Sequence, residues 1–523
     1  MALLSIQNTQ KFTQFTYFVA VYVPNIIGVV LQSAWLVVFA TFKLMEPFYQ
    51  LASPGGASAQ ATLTADYLST GLSLSFVKAA SGNQWVMLLA GQVQFGLAVV
   101  VLLVSESMNV VPTALCKTEI SDHQPCSPKW VVNTPIIRAM EVLLVTCFSM
   151  VLMILVLNRQ RVSGIYTNPS RIATVADILV HKPLIQEIRD LPASATKPQV
   201  EIDLRDSRYM LGTFIADGRE QYGIIKLDSE VLALEKEPLY KSMSRRLNCW
   251  LVELVDTTTE ALPFLADTIC MLCCFLLFIL IMIYKVLPEK DQSAYNRWMS
   301  SGQIGPNLLL SGFAVLIGFL VKRKERLLRL SHPYVLLAKG PQPASETITA
   351  AIQTTQFTAL WEGFFNGDIS LALLSLAAIL SDIMLIIIPG IPFSNAQTRP
   401  VYLASTYTCM GILVIIFIVQ VRITFKEWRR GHTECPDTLA AVLMRLCASR
   451  FVEEKNKQEE RNKELGPTLV AEVEVDYEYK QKERYEGVNR ERRYRFGCME
   501  GIDGVQRYMI EEDVWPRKRW QAQ

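Results

Sequence analysis

Histidine and charge are what this 523-residue sequence has least of: four histidines, and Asp, Glu, Lys and Arg together make only 19% of the chain. His123, His181, His332 and His432 are scattered, so they cannot supply a metal site at ligand spacing. No GxSxG elbow, P-loop, HExxH or Cys-His zinc spacing occurs either. The chain is therefore not read as an enzyme, and no catalytic, cofactor-binding or metal residue is assigned. The charges nearly cancel, 51 Lys and Arg against 49 Asp and Glu, so nothing points to nucleic acid. Eleven cysteines are present, but most fall in apolar runs or on the inferred inner side, which excludes a secreted disulfide framework.

What is present is apolar, 51% of the residues, and it is clumped. Runs near 15–40, 85–111, 138–157, 264–287, 305–321, 369–391 and 402–421 are each long enough, at about 18 residues or more, to cross a hydrocarbon core of about 30 Å. The first is too long for a cleaved signal peptide and lacks its basic flank, so it counts as a span. The fold class expected is mainly α: a polytopic membrane protein with about seven transmembrane helices, its partner the lipid bilayer.

Orientation follows from Lys and Arg near the span ends. Arg159 and Arg161 follow the third span, Lys322, Arg323, Lys324, Arg326 and Arg329 the fifth, and Arg422, Lys426, Arg429 and Arg430 the seventh. An outside N-terminus and a cytoplasmic C-terminus put all three clusters inside.

The chain also matches itself. Pro24-Asn25 answers Pro306-Asn307, and Glu46-Pro47-Phe48-Tyr49 with Leu51-Ala52 answers His332-Pro333-Tyr334 with Leu337-Ala338. Pro169 with Ile172-Ala173 answers Pro436 with Leu439-Ala440, each reading as an amphipathic helix with proline near its first turn. Alternating Val200 to Leu204 and Val473 to Tyr477 read as strands, and Asp217-Gly218 and Asp503-Gly504 as hairpin turns. The layout expected is two parallel repeats of three spans, joined by a linking span and each followed by a small cytoplasmic α/β module. The units are 1–157 (three spans), 158–263 (module 1), 264–421 (linking span and second membrane unit) and 422–523 (module 2).

Glu46 to Leu51, Gly56-Ala57, Asp66-Tyr67, Trp85 and Pro169 to Ala173 together resemble the fungal domain-of-unknown-function family 3433, in two tandem copies over essentially the whole chain. The second copy departs from the pattern, with His332 for the Glu and Asp437-Thr438-Leu439 for Ser-x-Ile. The resemblance implies a fungal integral membrane protein and carries no activity.

Asp382, near the middle of the sixth span, is the candidate intramembrane coupling residue. An acid there costs about 2.5–3.5 kcal/mol on insertion scales, so it should face the bundle interior, bonded by Gln92, Gln94 or Gln32. Coupling to a proton or cation is one reading, and a neutral acid packed by hydrogen bonds is the other. Cys116 and Cys126, in the outer segment between spans two and three, are a candidate disulfide. Cys270, Cys273 and Cys274 read as packing first, then as palmitoylation or metal sites. Pro389-Gly390 ends or breaks the sixth span, and the prolines Pro47 and Pro333 read as elbows that stop their helices. The basic run Lys322 to Arg329 reads as a topogenic flank or a lipid-head site. Two functions stay open: a transport-related protein working through Asp382, with no small-molecule substrate indicated, and a non-transporting scaffold whose cytoplasmic modules hold a protein partner.

Overall fold

Among the described residues of the computed structural model, seven helices are long and apolar enough to cross a membrane. The structure describes residues 14–65, 84–111, 129–192, 195, 197–205, 207–216, 219–227, 262–286, 294–299, 305–350, 355–392, 399–430, 438–449 and 493–512. The first copy runs α1 (Gln14–Leu51), a two-residue strand β1 (Ala57–Ser58), α2 (Trp85–Val104), β2 (Met108–Val111), β3 (Lys129–Val132) and α3 (Thr134–Arg159). Short helices α4 (Ile172–Asp177), α5 (Lys182–Asp190) and α6 (Lys197–Asp203) follow, then the hairpin β4 (Arg208–Ala216) and β5 (Arg219–Leu227). The linking helix α7 (Leu262–Val286) and α8 (Ala294–Met299) lead to the second copy. That copy has α9 (Pro306–Lys339), β6 (Gln342–Pro343), α10 (Gln356–Phe365), α11 (Ile369–Ile387), α12 (Arg399–Arg430), α13 (Leu439–Leu446), β7 (Arg493–Glu500) and β8 (Gln506–Glu512).

Three boundaries differ from the sequence expectation. The second span stops at Val104, because residues 108–111 pair as β2 with β3, Met108 opposite Val132. Pro47 and Pro333 do not stop their helices, which run on to Leu51 and Lys339. An interior proline costs about 3 kcal/mol, but the turn beyond it buries Phe48 and Leu51 in one copy and Leu336 and Leu337 in the other. Each such burial returns about 1.5–3 kcal/mol. Finally, Val200 to Asp203 lies in α6 and not in a strand, with Leu204 in the turn that follows. Five alternating residues also satisfy the i, i+4 helical spacing: Val200 and Leu204 are buried while Ile202 points out. Its counterpart, residues 473–477, lies outside the described residues.

At about 1.5 Å per residue, the 38-residue α1 and the 34-residue α9 far exceed a hydrocarbon core of about 30 Å. Their C-terminal ends run on from the apolar bundle into one further packed body. There each enters a three-stranded antiparallel sheet, ordered β1-β4-β5 in one copy and β6-β7-β8 in the other. The registers correspond: Ala57 faces Tyr209 and Ser58 faces Arg208, as Gln342 faces Tyr494 and Pro343 faces Arg493. Gly56 makes the first entry feasible, since its φ is +65° and a Cβ would stand 2.5 Å from the Tyr209 carbonyl oxygen. Both expected hairpins form, Ala216 facing Arg219 at the end of the first and Glu500 facing Gln506 at the end of the second. Asp217 and Gly218 themselves lie outside the described residues.

The two sheets and the short helices share a single core. Leu51, Leu184, Tyr209 and Ile224 from the first copy meet Leu337, Leu443, Leu446 and Met509 from the second. Within the membrane part, α1 packs on α2 and α11, while α9 packs on α11, α2 and α7. The linking helix α7 covers α9 and α12, and its Cys270, Cys273 and Cys274 are buried in that contact.

Candidate functional site

The apolar run of α9 ends at Val321, and from there the helix carries a basic or acidic residue at almost every turn. Lys322, Lys324 and Glu325 are nonetheless buried, because each meets a polar side chain of a neighbouring helix, Lys322 and Glu325 on α11 and Lys324 on α7 and α12. Lys322 Nζ pairs with Asp382 Oδ1 of α11, and Ser33 Oγ of α1 donates to the other Asp382 oxygen at 3.4 Å. On another side of α9, Lys324 Nζ pairs with Asp267 of α7 and donates to Thr424 Oγ1 of α12 at 2.9 Å. Glu325 accepts from Arg329 one turn on, with Nε at 3.1 Å, and from Ser375 Oγ of α11 at 3.3 Å.

The helix thus continues past the apolar run, and Lys322, Lys324 and Glu325 of the basic segment lie inside the bundle. The structure corrects the expected partners of Asp382, which is held by Lys322 and Ser33 and not by Gln32, Gln92 or Gln94. Buried carboxylates need a cation or several donors. Lys322, the first basic residue after the fifth apolar run, is the sequence signal that could have pointed to the partner. Hydropathy hides it, because the apolar run stops at Val321 while the helix continues. At about 1.5 Å per residue, Asp382 stands roughly 20 Å along α11 from Ile369, well inside the apolar bundle.

A cavity of about 480 Å³ lies between α1 and α9 and reaches this pair. Ser33 and Lys322 are in its lining, although Asp382 is not. Its long wall is Val30, Ala34, Val37 and Ala40 of α1, one helical face at i, i+4, i+7 and i+10. The opposite wall is the Lys322, Glu325, Arg326 and Arg329 face of α9, again at i, i+3, i+4 and i+7. Its floor is the body formed by the two sheets and short helices, with Ser170, Arg171 and Thr438 among the lining residues.

The helix ends around the site are locked by side chains. Arg161 grips Glu46 with two parallel hydrogen bonds, 2.9 and 2.7 Å, tying the end of α3 to the end of α1. In the second copy His332 stands where the first has Glu46, and its Nδ1 meets Asp368 Oδ2 at 3.0 Å, just before α11. Burial alone would raise the Asp368 carboxyl; the hydrogen bond and charge of His332, helped by Lys339 and Lys426, overcome this and hold it below its ordinary range. At the other end of α9, Glu106 accepts from the backbone N–H groups of Gly305 and Leu308 at 3.1 and 2.8 Å, so the first copy caps the second copy's leading helix. Burial raises the Glu106 carboxyl, and these two N–H groups act against that rise.

Pro389 and Gly390 end α11 in a single 3-10 turn, Ile388–Gly390. There a Cβ on Gly390 would meet the Tyr22 hydroxyl of α1 at 2.4 Å. Cys116 and Cys126 lie outside the described residues. No cluster of three or more His, Cys, Asp or Glu arranged to hold a metal occurs among the described residues.

Comparison with curated proteins and with solved structures returns no match. Residues 18–109 and 304–393, each holding two spans and the segment between them, both match the model of a family described as a protein of unknown function (DUF3433), which is consistent with two tandem copies of that domain.

Proposed function

We propose that this multi-pass membrane protein has a transport-related activity whose coupling element is the buried Lys322–Asp382 pair. One observation carries the reading: the ammonium and the carboxylate meet inside the apolar bundle, with a cavity reaching the Lys322 and Ser33 side of the pair. In that setting a proton or cation taken up by Asp382 cancels the attraction and frees Lys322 toward the cavity. The pair then has two arrangements that a bound ion selects between. Asp382→Asn keeps an oxygen for Lys322 and removes the titratable proton. Reconstituted protein with demonstrated flux should lose its proton or cation dependence in this variant, while insertion and folding persist. Wild-type coupling in Asp382→Asn ends the proposal.

In this reading the two copies lie parallel, related by an axis along the membrane normal, with the N-terminus outside and the shared body cytoplasmic. The basic residues that follow the apolar runs of α3, α9 and α12 support this, as does the entry of both α1 and α9 into the same body. Protease added to sealed microsomes, whose cytoplasmic face is outward, should cut both 158–263 and the C-terminal segment, and cleavage of only one of the two overturns the orientation.

The second reading is a non-transporting scaffold that holds a protein partner on its cytoplasmic modules. The single core built by both copies favours it, because such a body is a rigid platform independent of any cavity. Under this reading the protein shows no flux, and the phenotype follows substitutions on the body and not at Asp382.

A further inference from the structure

We propose that α10 is an interfacial anchor. Its aromatic face lies in the membrane leaflet on the side of the shared body, at the boundary between headgroups and acyl chains. Phe357, Trp361, Phe364 and Phe365 stand at i, i+4, i+7 and i+8 of this helix and are 63%, 61%, 72% and 75% exposed. Their rings form one patch, with Trp361 and Phe365 stacked at 5.9 Å and Phe364 edge-on to Phe365 at 6.0 Å. A contiguous apolar patch of this kind marks a protein or membrane contact.

The opposite face is fixed on α11. Ala359 is fully buried, and a Cβ on Gly363 would stand 2.6 Å from the backbone nitrogen of Ala372. Gly367, at φ +67°, reverses the chain between the two helices, so α10 lies antiparallel to the first turns of α11. Exposed Thr355, Thr358 and Glu362, at i, i+3 and i+7, form a polar edge beside the aromatic face. The helix is thus amphipathic around a short axis, and at 10 residues it is too short to cross a bilayer.

Depth identifies what covers the patch. Asp382 lies near the middle of its span, and Ile369, beside the C-terminal end of α10, stands roughly 20 Å from it along α11. The N-terminal end of α10 is level with Ser375, because Gln356 and Phe357 line the same cavity as Glu325, which accepts from Ser375. Ser375 is about 10 Å from Asp382 along α11. The helix therefore occupies the zone from about 10 to 20 Å from the middle of the span, and half of a hydrocarbon core is about 15 Å. Tryptophan and its aromatic neighbours favour that layer. Lipid-facing surface adjoins the patch, since Ile369, Leu376 and Ile383 follow one another at seven-residue spacing on α11 and are 60%, 36% and 40% exposed. No Lys or Arg occurs in α10, so its hold on the membrane is by aromatic contact and not by headgroup charge. Through the Gly367 turn the anchor reaches Asp368, and so the His332 contact that holds α9 against α11. The placement is independent of the coupling proposal, and its tests leave Lys322 and Asp382 unchanged.

The full chain reconstituted in phosphatidylcholine liposomes tests it, with p-benzoylphenylalanine placed at Trp361 or at Phe364 as the probe. Irradiation should give phosphatidylcholine adducts at both positions. An adduct to a second copy of the chain, or no lipid adduct at either position, overturns the proposal. Depth is read on the natural side chain: the emission lost in Trp361→Phe isolates the Trp361 signal from those of the other tryptophans. Phosphatidylcholine brominated near the headgroup should quench that component at least about twofold more than phosphatidylcholine brominated near the chain ends, as for an indole in the interfacial layer. Equal or stronger quenching by the deep bromines would place α10 in the hydrocarbon interior, and no quenching by either would place it in water. Each of these results sinks the interfacial assignment.

Discussion

The backbone N–H of Ala440 donates to the carbonyl of Leu63 at 2.7 Å, and its counterpart, the N–H of Ala173, donates to Ile348 at 3.1 Å. The loop after the first helix of each copy therefore holds the first turn of the short helix belonging to the other. Because the donors and acceptors are repeat-equivalent, neither copy completes its share of the body alone. Weakening one half should loosen the other as well. Leu443→Ala in α13 truncates a fully buried side chain, at a cost of about 2–5 kcal/mol. Hydrogen exchange should then rise in β4 and β5 of the first copy as well as around α13. Exchange confined to residues 438–449 would show that the two halves open independently.

Asp382→Leu removes the partner of a buried ammonium and should cost about 3–5 kcal/mol. Lys322→Met added to it leaves two apolar side chains facing each other and should restore melting to within about 1 kcal/mol of the starting protein. A double variant no more stable than Asp382→Leu would mean that the pair is not coupled.

Asp368 carries a pH dependence of definite sign. Its carboxyl is depressed in the fold, so its contribution is complete above the ordinary value of 3.8 and is lost as pH falls through the folded one. The melting advantage over Asp368→Asn, about 1.5–3 kcal/mol for hydrogen bonds to a charged group, should be constant above about pH 5 and shrink below about pH 4. Glu362 nearby has the opposite sign: burial raises it, so its protonated form is favoured in the fold and stability falls as pH rises from 4.5 through its folded value. The comparison is therefore best made in a Glu362→Gln background, where a flat difference down to about pH 2 would refute the assignment.

The departure of the second copy at His332 predicts an asymmetry. Restoring the first copy's acid by His332→Glu sets two carboxylates face to face at Asp368 and should destabilise the protein by more than about 1 kcal/mol at neutral pH. Adding Asp368→Arg should recover most of the loss. In the first copy, Arg161→Ala strands the buried Glu46 and should cost about 3–5 kcal/mol. Thermal melting in detergent checks all three variants.

Local pattern made much of this architecture legible. Apolar runs longer than a bilayer is thick have few other uses, so the seven spans followed from length and composition. The doubled proline-aromatic elements and the two Asp-Gly turns marked the repeat, because turn chemistry is set by adjacent residues. Where the same local pattern fits two structures, it misled. Val200 to Leu204 alternates like a strand and also spaces its buried residues like a helix, and packing of Val200 and Leu204 decided between them.

The sequence by itself determined that Asp382 must be buried in a helix and must have a polar partner. Which partner, only the tertiary structure decided. Lys322 lies 60 residues away, and Leu63 lies 377 residues from Ala440, by subtraction of their numbers. No periodicity spans such separations. Likewise β1 and β6 are two-residue strands with no signal of their own, formed only because a distant hairpin offers them an edge. Helix and turn formation are governed by neighbours along the chain. Ion pairs, shared cores and cavities depend on which surfaces meet, and that choice was made by the packing of α9 against helices from both halves.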